Sequence, residues 1–254
     1  MTRGDLSACA GIVQRGDPMR FRACMAAPVA ARGVLFAIYA FNVEVARAPW
    51  VTQEHMIAEM RLQWWRDALG EIAAGGDVRR HEVVTPLAGV LDPVSARELD
   101  QLIEARRWDI YREPFEDEAA FRAHLDRTAG HLLRASVRAL GGVAGDWLAD
   151  AGFAHGLAGW LRAVPALEAA GRVPLVDGRP GAVAALAREG LERLRRARKA
   201  GRGAPKPAML PLWDCALVLK RAAASPGLVA AGRLDPAPVR SQVSLIRKAM
   251  ARHW

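Results

Sequence analysis

PVAARGVLFAIYAFNVEVARAPWVTQEHMIAEMRLQWWRDALGEIAAGG, residues 28–76, is the stretch whose reading decides the fold. Pro28 suits the start of a helix, where its fixed φ is already helical and its missing N–H would find no partner. Val29, Gly33, Phe36, Ala40 and Val43 then recur at helical spacing up to about Ala48, before Pro49 stops the run. A second helix is expected from Thr52 to the Gly75-Gly76 stop, with Ile57, Met60, Trp64, Ala68 and Ile72 on its apolar face. Neither segment alternates with a period of two, so both belong to a helical core.

The same period continues outward. Ser95 with Glu98 forms a capping box, and Leu99, Leu102, Ile103 and Ile110 carry a helix to about Tyr111. From Asp117, Phe121, Leu125, Leu132, Ser136 and Leu140 keep helical spacing as far as Gly141-Gly142. A helix from Gly145 to Val164 should end or kink at Pro165, and Ala166–Gly181 reads as a loop. Further helices are expected at Ala182–Ala200, Ala208–Ala223 and Pro236–His253, the last capped by Asp235. The expectation is an all-α, single-domain helical bundle of about eight helices without a repeat, over residues 19–254, preceded by an N-terminal extension, residues 1–18.

The 254 residues are 52% apolar, with a mean hydropathy of +0.02, which supplies a sizeable core and excludes disorder as the main state. Lys and Arg number 36 against 27 Asp and Glu, and a pI near 10.4 argues for an anionic partner or surface. Lys occurs only at Lys199, Lys206, Lys220 and Lys248, an Arg-rich bias that points to a GC-rich bacterial genome. Cys9, Cys24 and Cys215 make no Cys-x-x-Cys pair, which fits a reducing compartment. Met1–Val13 lacks the pattern of a secretory signal. The longest apolar candidate for a membrane span, Gly33–Phe41, is nine residues, and Gly141–Leu161 is broken by Asp146, Asp150 and His155. The expected location is cytoplasmic, at most peripheral to the inner membrane.

Several site types fail on spacing. Histidines 55, 81, 124, 131, 155 and 253 form no His-Glu-x-x-His and no His/Cys cluster. Gly201-Arg-Gly203 lacks the Gly-Lys-Ser/Thr of a phosphate loop, and there is no Gly-x-Ser-x-Gly elbow. Acidic pairs four apart occur at Asp67/Glu71, Asp100/Glu104, Asp109/Glu113, Glu113/Asp117 and Asp146/Asp150, a number close to chance, and the last lies just after Gly145 in the first turns of a helix, where acidic side chains suit the dipole. The stretch holding Arg188, Arg193, Arg195, Arg196, Arg198, Lys199, Arg202 and Lys206 faces only Glu189 and Glu192. It reads as a solvated face or as a surface for an anionic membrane or an acidic partner, and no nucleic-acid motif accompanies it.

Phe21-Arg22, the Pro28 helix start, Ala37-Ile38-Tyr39-Ala40, Leu62–Leu69 around Trp64-Trp65-Arg66, Ala129-Gly130 and Leu161-Arg162 together resemble the squalene and phytoene synthase family, over roughly Met19 to Pro174. The resemblance implies an all-α isoprenoid synthase fold around a deep apolar cavity. It also implies two acidic motifs whose carboxylates hold Mg²⁺ against prenyl diphosphates. At the matching positions stand Ala46, Arg47 and Trp50, then Ala163 and Leu167, and the Asn expected one turn before Arg162 is Gly159. Four carboxylates are replaced by apolar residues, so no metal and no cofactor is expected.

A narrower resemblance rests on Ala40-Phe-Asn-Val-Glu44, Met60-Arg-Leu-Gln-Trp64 and Leu161-Arg-Ala-Val-Pro165. These match the branch that includes the mitochondrial assembly factor of respiratory complex I, in which the acidic clusters are also absent. It implies a non-catalytic role in assembling NADH:ubiquinone oxidoreductase, with complex I subunits or other assembly factors as partners. Tyr39, Asn42, Glu44, Arg61, Gln63, Trp64 and Arg162 are then cavity-lining or partner-binding groups, or hydrogen-bonded groups between packed helices. Two alternatives stay open: a prenyl diphosphate transferase with ligands moved to Asp109, Glu113 or Asp146, and an isoprenoid or quinone-like lipid carrier.

Overall fold

The computed structural model describes residues 3–251 and residue 254, and no strand occurs among the described residues. In chain order the helices are α1 (Arg3–Gly16), α2 (Pro18–Ala26), α3 (Val29–Arg47), α4 (His55–Ala74), α5 (Val84–Ala88), α6 (Pro93–Ala105), α7 (Trp108–Tyr111) and α8 (Glu118–Leu125). They continue with α9 (His131–Ala139), α10 (Trp147–Ala169), α11 (Pro180–Ala200), α12 (Lys206–Met209), α13 (Cys215–Ala224), α14 (Gly227–Ala230) and α15 (Pro238–Met250). The all-α expectation stands, with more and shorter segments than the eight expected. The expected end of the last helix at His253 lies outside the described residues.

The chain forms two compact units that interleave along the sequence. The first unit contains the chain up to Tyr111, with His131–Ala144 and Ala204–Pro211. Its axis is α3, buried continuously from Leu35 to Val43, with α1, α2, α5 and α9 packed around it. Helix α1 lies within the expected N-terminal extension and contributes the fully buried Cys9 and Val13. Val29, expected on the buried face of α3, is 76% exposed at its first turn. By length and composition Val29–Trp50 could cross a membrane, but 61% of its apolar window is buried, as in a core helix.

Helix α4 is present, but it is turned relative to the expectation. Ala58, Leu62, Trp65, Leu69 and Ile72 face the core, Met56, Ile57 and Met60 are exposed, and Trp64 is half-buried. Phe41 of α3 meets Trp65 edge-on with ring centres 5.5 Å apart, which fixes that rotation.

The second unit contains Arg112–Gly130, Gly145–Gly203 and the chain from Leu212 onward. Helix α10 is its axis, packed by α11 and α13. Pro165 does not end α10, which continues to Ala169. The ring costs one backbone hydrogen bond, and burial of Leu161, Val164 and Leu167 around it holds the helix together. The single helix expected from Asp117 is interrupted by a π-helical turn, Asp126–Gly130. There two backbone segments touch: a Cβ on Gly152 would lie 2.5 Å from the Cα of Gly130.

Candidate functional site

The first motif position lies at the end of α3. Pro49 folds Ala48–Trp50 into one 3-10 turn, leaving Ala46 half-buried and Trp50 44% exposed. Beside this turn, Glu44, Arg47, Ala48 and Val51 meet Arg61, Trp64 and Trp65 of α4, and His81, around a cavity of about 270 Å³. Arg47 Nη1 lies 3.7 Å from Glu44 Oε1, and Arg61 is exposed without an ion-pair partner among the described residues. Trp64 and Trp65 meet edge-on at 4.9 Å, with His81 against both. The Arg79 guanidinium covers Trp64 at 4.9 Å and is held by Glu71 at 2.6 Å, an arrangement that keeps the Glu71 carboxyl below its usual range. Backbone Val83 N–H donates to His81 Nδ1, which assigns the neutral ring's proton to Nε2. The result is a small aromatic recess with cationic groups at its mouth.

The second motif position lies on α10. Ala163 is half-buried, Leu167 is buried and Gly159 is exposed. Arg162 donates from Nε to Asp235 at 2.7 Å and from Nη2 to Asp214 in a closer contact. Burial pushes the Asp214 carboxyl up, and the Arg162 charge opposes that rise. Burial also works against the Arg162 guanidinium, but Asp214 and Asp235 outweigh it and hold the charge in place. Asp235, expected as a helix cap, serves this cluster instead, and α15 has Ala237 at its N-cap with no side-chain cap. Asp214 was not singled out from the sequence. Only its place 52 residues from Arg162 in the chain, closed by folding, reveals it.

Of the residues expected to line a cavity, Glu44, Arg61 and Trp64 come together in the recess of the first unit. Tyr39 and Asn42 are buried within α3, and burial pushes the Tyr39 phenol far up, with the Arg20 guanidinium 5.5 Å from the ring centre. Gln63 is exposed and spends its amide on Asp67, one turn along α4, at 2.7 Å.

A Mg²⁺–diphosphate site does not fit the residues present. The motif positions offer no oxygen ligand, the nearby Glu44, Asp214 and Asp235 are engaged by Arg47 and Arg162, and no metal-holding group of three His, Cys, Asp or Glu side chains occurs among the described residues. The acidic pairs have structural partners: Asp100 and Glu104 hold Arg66, Asp150 holds Arg196, the buried Asp109 pairs with Arg106, and Asp117 caps α8. The basic stretch is partly neutralised too. Arg193 pairs with Glu189, Arg195 with Glu192, and Arg196 with Asp150, while Arg188, Arg198, Lys199 and Arg202 have no carboxylate partner among the described residues. It is also not one helix, since α11 ends at Ala200 and Lys206 opens α12.

Comparison with known proteins rests on fold and sequence together. The structure resembles a dehydrosqualene synthase crystallised with ligand, at a TM-score of 0.74 and 13% identity, covering 96% of this chain and 95% of that one. It resembles the squalene synthase HpnC of Alicyclobacillus acidocaldarius at a TM-score of 0.70 and 16% identity, covering 91% and 95%. No curated protein matches the chain. The sequence model for squalene/phytoene synthase matches residues 13–177, well over half the chain, and with it the chain belongs to the squalene/phytoene synthase family.

Proposed function

We propose that this chain keeps the isoprenoid synthase fold without Mg²⁺-dependent prenyl transfer, and that it acts in assembly of respiratory complex I as a peripheral protein of the inner membrane. The observation that carries the reading is chemical. Where the synthase pattern needs carboxylates, Ala46, Trp50, Ala163 and Leu167 offer no metal ligand, so the charge of two diphosphates and of the departing one would go unneutralised. The matches at Ala40–Glu44, Met60–Trp64 and Leu161–Pro165 support the assembly role. The recess with Glu44, Arg61 and Trp64 supports it as well, because polar and aromatic groups at a small mouth suit a protein contact better than a long prenyl chain.

The test is a deletion strain without a paralogue. Complex I level and NADH oxidation should fall, other respiratory complexes should persist, and the wild-type gene should restore both. Normal complex I in that strain would overturn the assembly role.

A further inference from the structure

Helix α15 is docked on the second unit by one face only. Ser241 and Leu245 are buried, and Ser244 Oγ–H donates to the Trp213 carbonyl at 3.0 Å. The opposite face carries Val239, Val243, Ile246 and Met250, at helical spacing and between 49% and 81% exposed. The helix holds Arg240, Arg247 and Lys248 and no acidic residue. An apolar stripe on a purely cationic helix is the pattern of a segment lying in a bilayer interface.

A second observation sits beside it. Arg198 of α11 lines a groove of about 430 Å³ with Arg188, Leu194, Arg195 and Lys220. Its Nε is buried with no hydrogen-bond partner among the described residues. Lys248 of α15 lies within reach of the Arg198 charge, and its ammonium is pushed down by burial and by the charges of Arg198 and Arg247. The one carboxylate lining the groove, Glu192, is taken by Arg195 at 2.7 Å. Positive charge thus collects at one place with little counter-charge, and a buried guanidinium Nε–H without a partner is costly unless an acceptor completes it.

We propose that α15 and the adjoining α11/α13 groove form a membrane-docking face, the apolar stripe bedding into an anionic bilayer while a phospholipid phosphate occupies the groove against Arg198. The proposal deepens the peripheral attachment included in the function above, yet stands on observations independent of the assembly role. Charge complementarity selects the occupant. A second copy packed symmetrically through α15 would set Arg240, Arg247 and Lys248 against themselves, and four side chains fall short of the roughly 800 Å² per partner of a stable interface.

The experiment is flotation of the full chain with vesicles of phosphatidylcholine alone or with phosphatidylglycerol added. The wild type should float only with phosphatidylglycerol, and less as salt rises. Val243→Glu with Ile246→Glu, both at exposed positions, should keep the thermal midpoint and lose at least about tenfold in partitioning. Arg198→Gln, and Lys248→Gln as a second variant that spares the α11 packing, should each lose about fivefold. Failure to float with phosphatidylglycerol, or flotation unchanged by the paired Glu variant, overturns the proposal. So does a dimer in sedimentation that this variant dissociates, which gives the stripe to a second copy. Calorimetric binding of inorganic phosphate without vesicle binding also overturns it, and gives the groove to free phosphate. Normal complex I in the deletion strain alongside intact flotation would remove the assembly role and leave this docking face standing.

Discussion

Arg162 is the centre of an ion cluster on α10, next to Ala163. Asp214 is nearly fully buried, so removing its partner leaves an uncompensated charge in a poorly solvated place. Arg162→Met should therefore cost on the order of 3–5 kcal/mol in chemical denaturation, and adding Asp214→Leu should recover much of the loss. Asp235→Asn should cost less than about 1 kcal/mol because that carboxylate is largely exposed. Equal losses for Arg162→Met alone and for the double variant would contradict this ordering. A second cluster sets a pH dependence. Burial tends to raise the Glu189 carboxyl, but hydrogen bonds from Arg122 and Arg193 outweigh it and hold it below the usual range. A lowered folded value means stabilisation present above the unfolded value and lost as pH falls through the folded one. Glu189→Gln should cost about 1 kcal/mol or less at neutral pH and flatten the acid limb of the stability curve in that window. An acid limb identical to that of the wild type would count against the pairing.

At the scale of elements, α4 shows what periodicity can and cannot decide. Ile57, Met60, Trp64, Ala68 and Ile72 form one helical stripe, and Ala58, Leu62, Trp65, Leu69 and Ile72 form another about 100° away. Both are apolar, so the pattern identifies the helix without choosing its face, and the contact of Trp65 with Phe41 makes the choice. Trp65→Ala should cost about 3–5 kcal/mol, whereas Met60→Ala should stay within about 0.5 kcal/mol. The reverse order in thermal or urea unfolding would restore the other face. Gly201 is a second element-scale test. It ends α11 where a Cβ would sit 2.5 Å from Trp147, and its carbonyl accepts from Trp254 Nε1 at 2.8 Å. Gly201→Ala should destabilise by about 1–3 kcal/mol through overpacking, and an unchanged midpoint would contradict the close approach. The long helices from Pro28, Thr52 and Gly145 were legible because they carry several turns of pattern. Segments of four or five residues such as α5 and α14 carry too little pattern to read. The π-turn at Asp126–Gly130 depends on the Gly130–Gly152 contact, and the cluster around Arg162 on partners 52 and 73 residues away, so neither leaves a local signal. What the sequence shows in the open is Ala46, Trp50, Ala163 and Leu167, the side chains on which the proposed loss of prenyl transfer rests.

For the whole molecule, the fold and the family are shared with the synthases, and the proposed loss of prenyl transfer rests on four side chains. Helices α3 and α10 persist as the two axes, with Ala46 near the end of one and Ala163 and Leu167 near the end of the other. The three free cysteines are all buried, and burial pushes each thiol up to about 12, so none is poised as a nucleophile. The most direct measurement is product formation by the purified full chain from farnesyl or geranylgeranyl diphosphate with Mg²⁺, read against a heat-inactivated control. The account predicts no squalene, phytoene or presqualene-type product above that control, and product formed at rates well above it would contradict the claim.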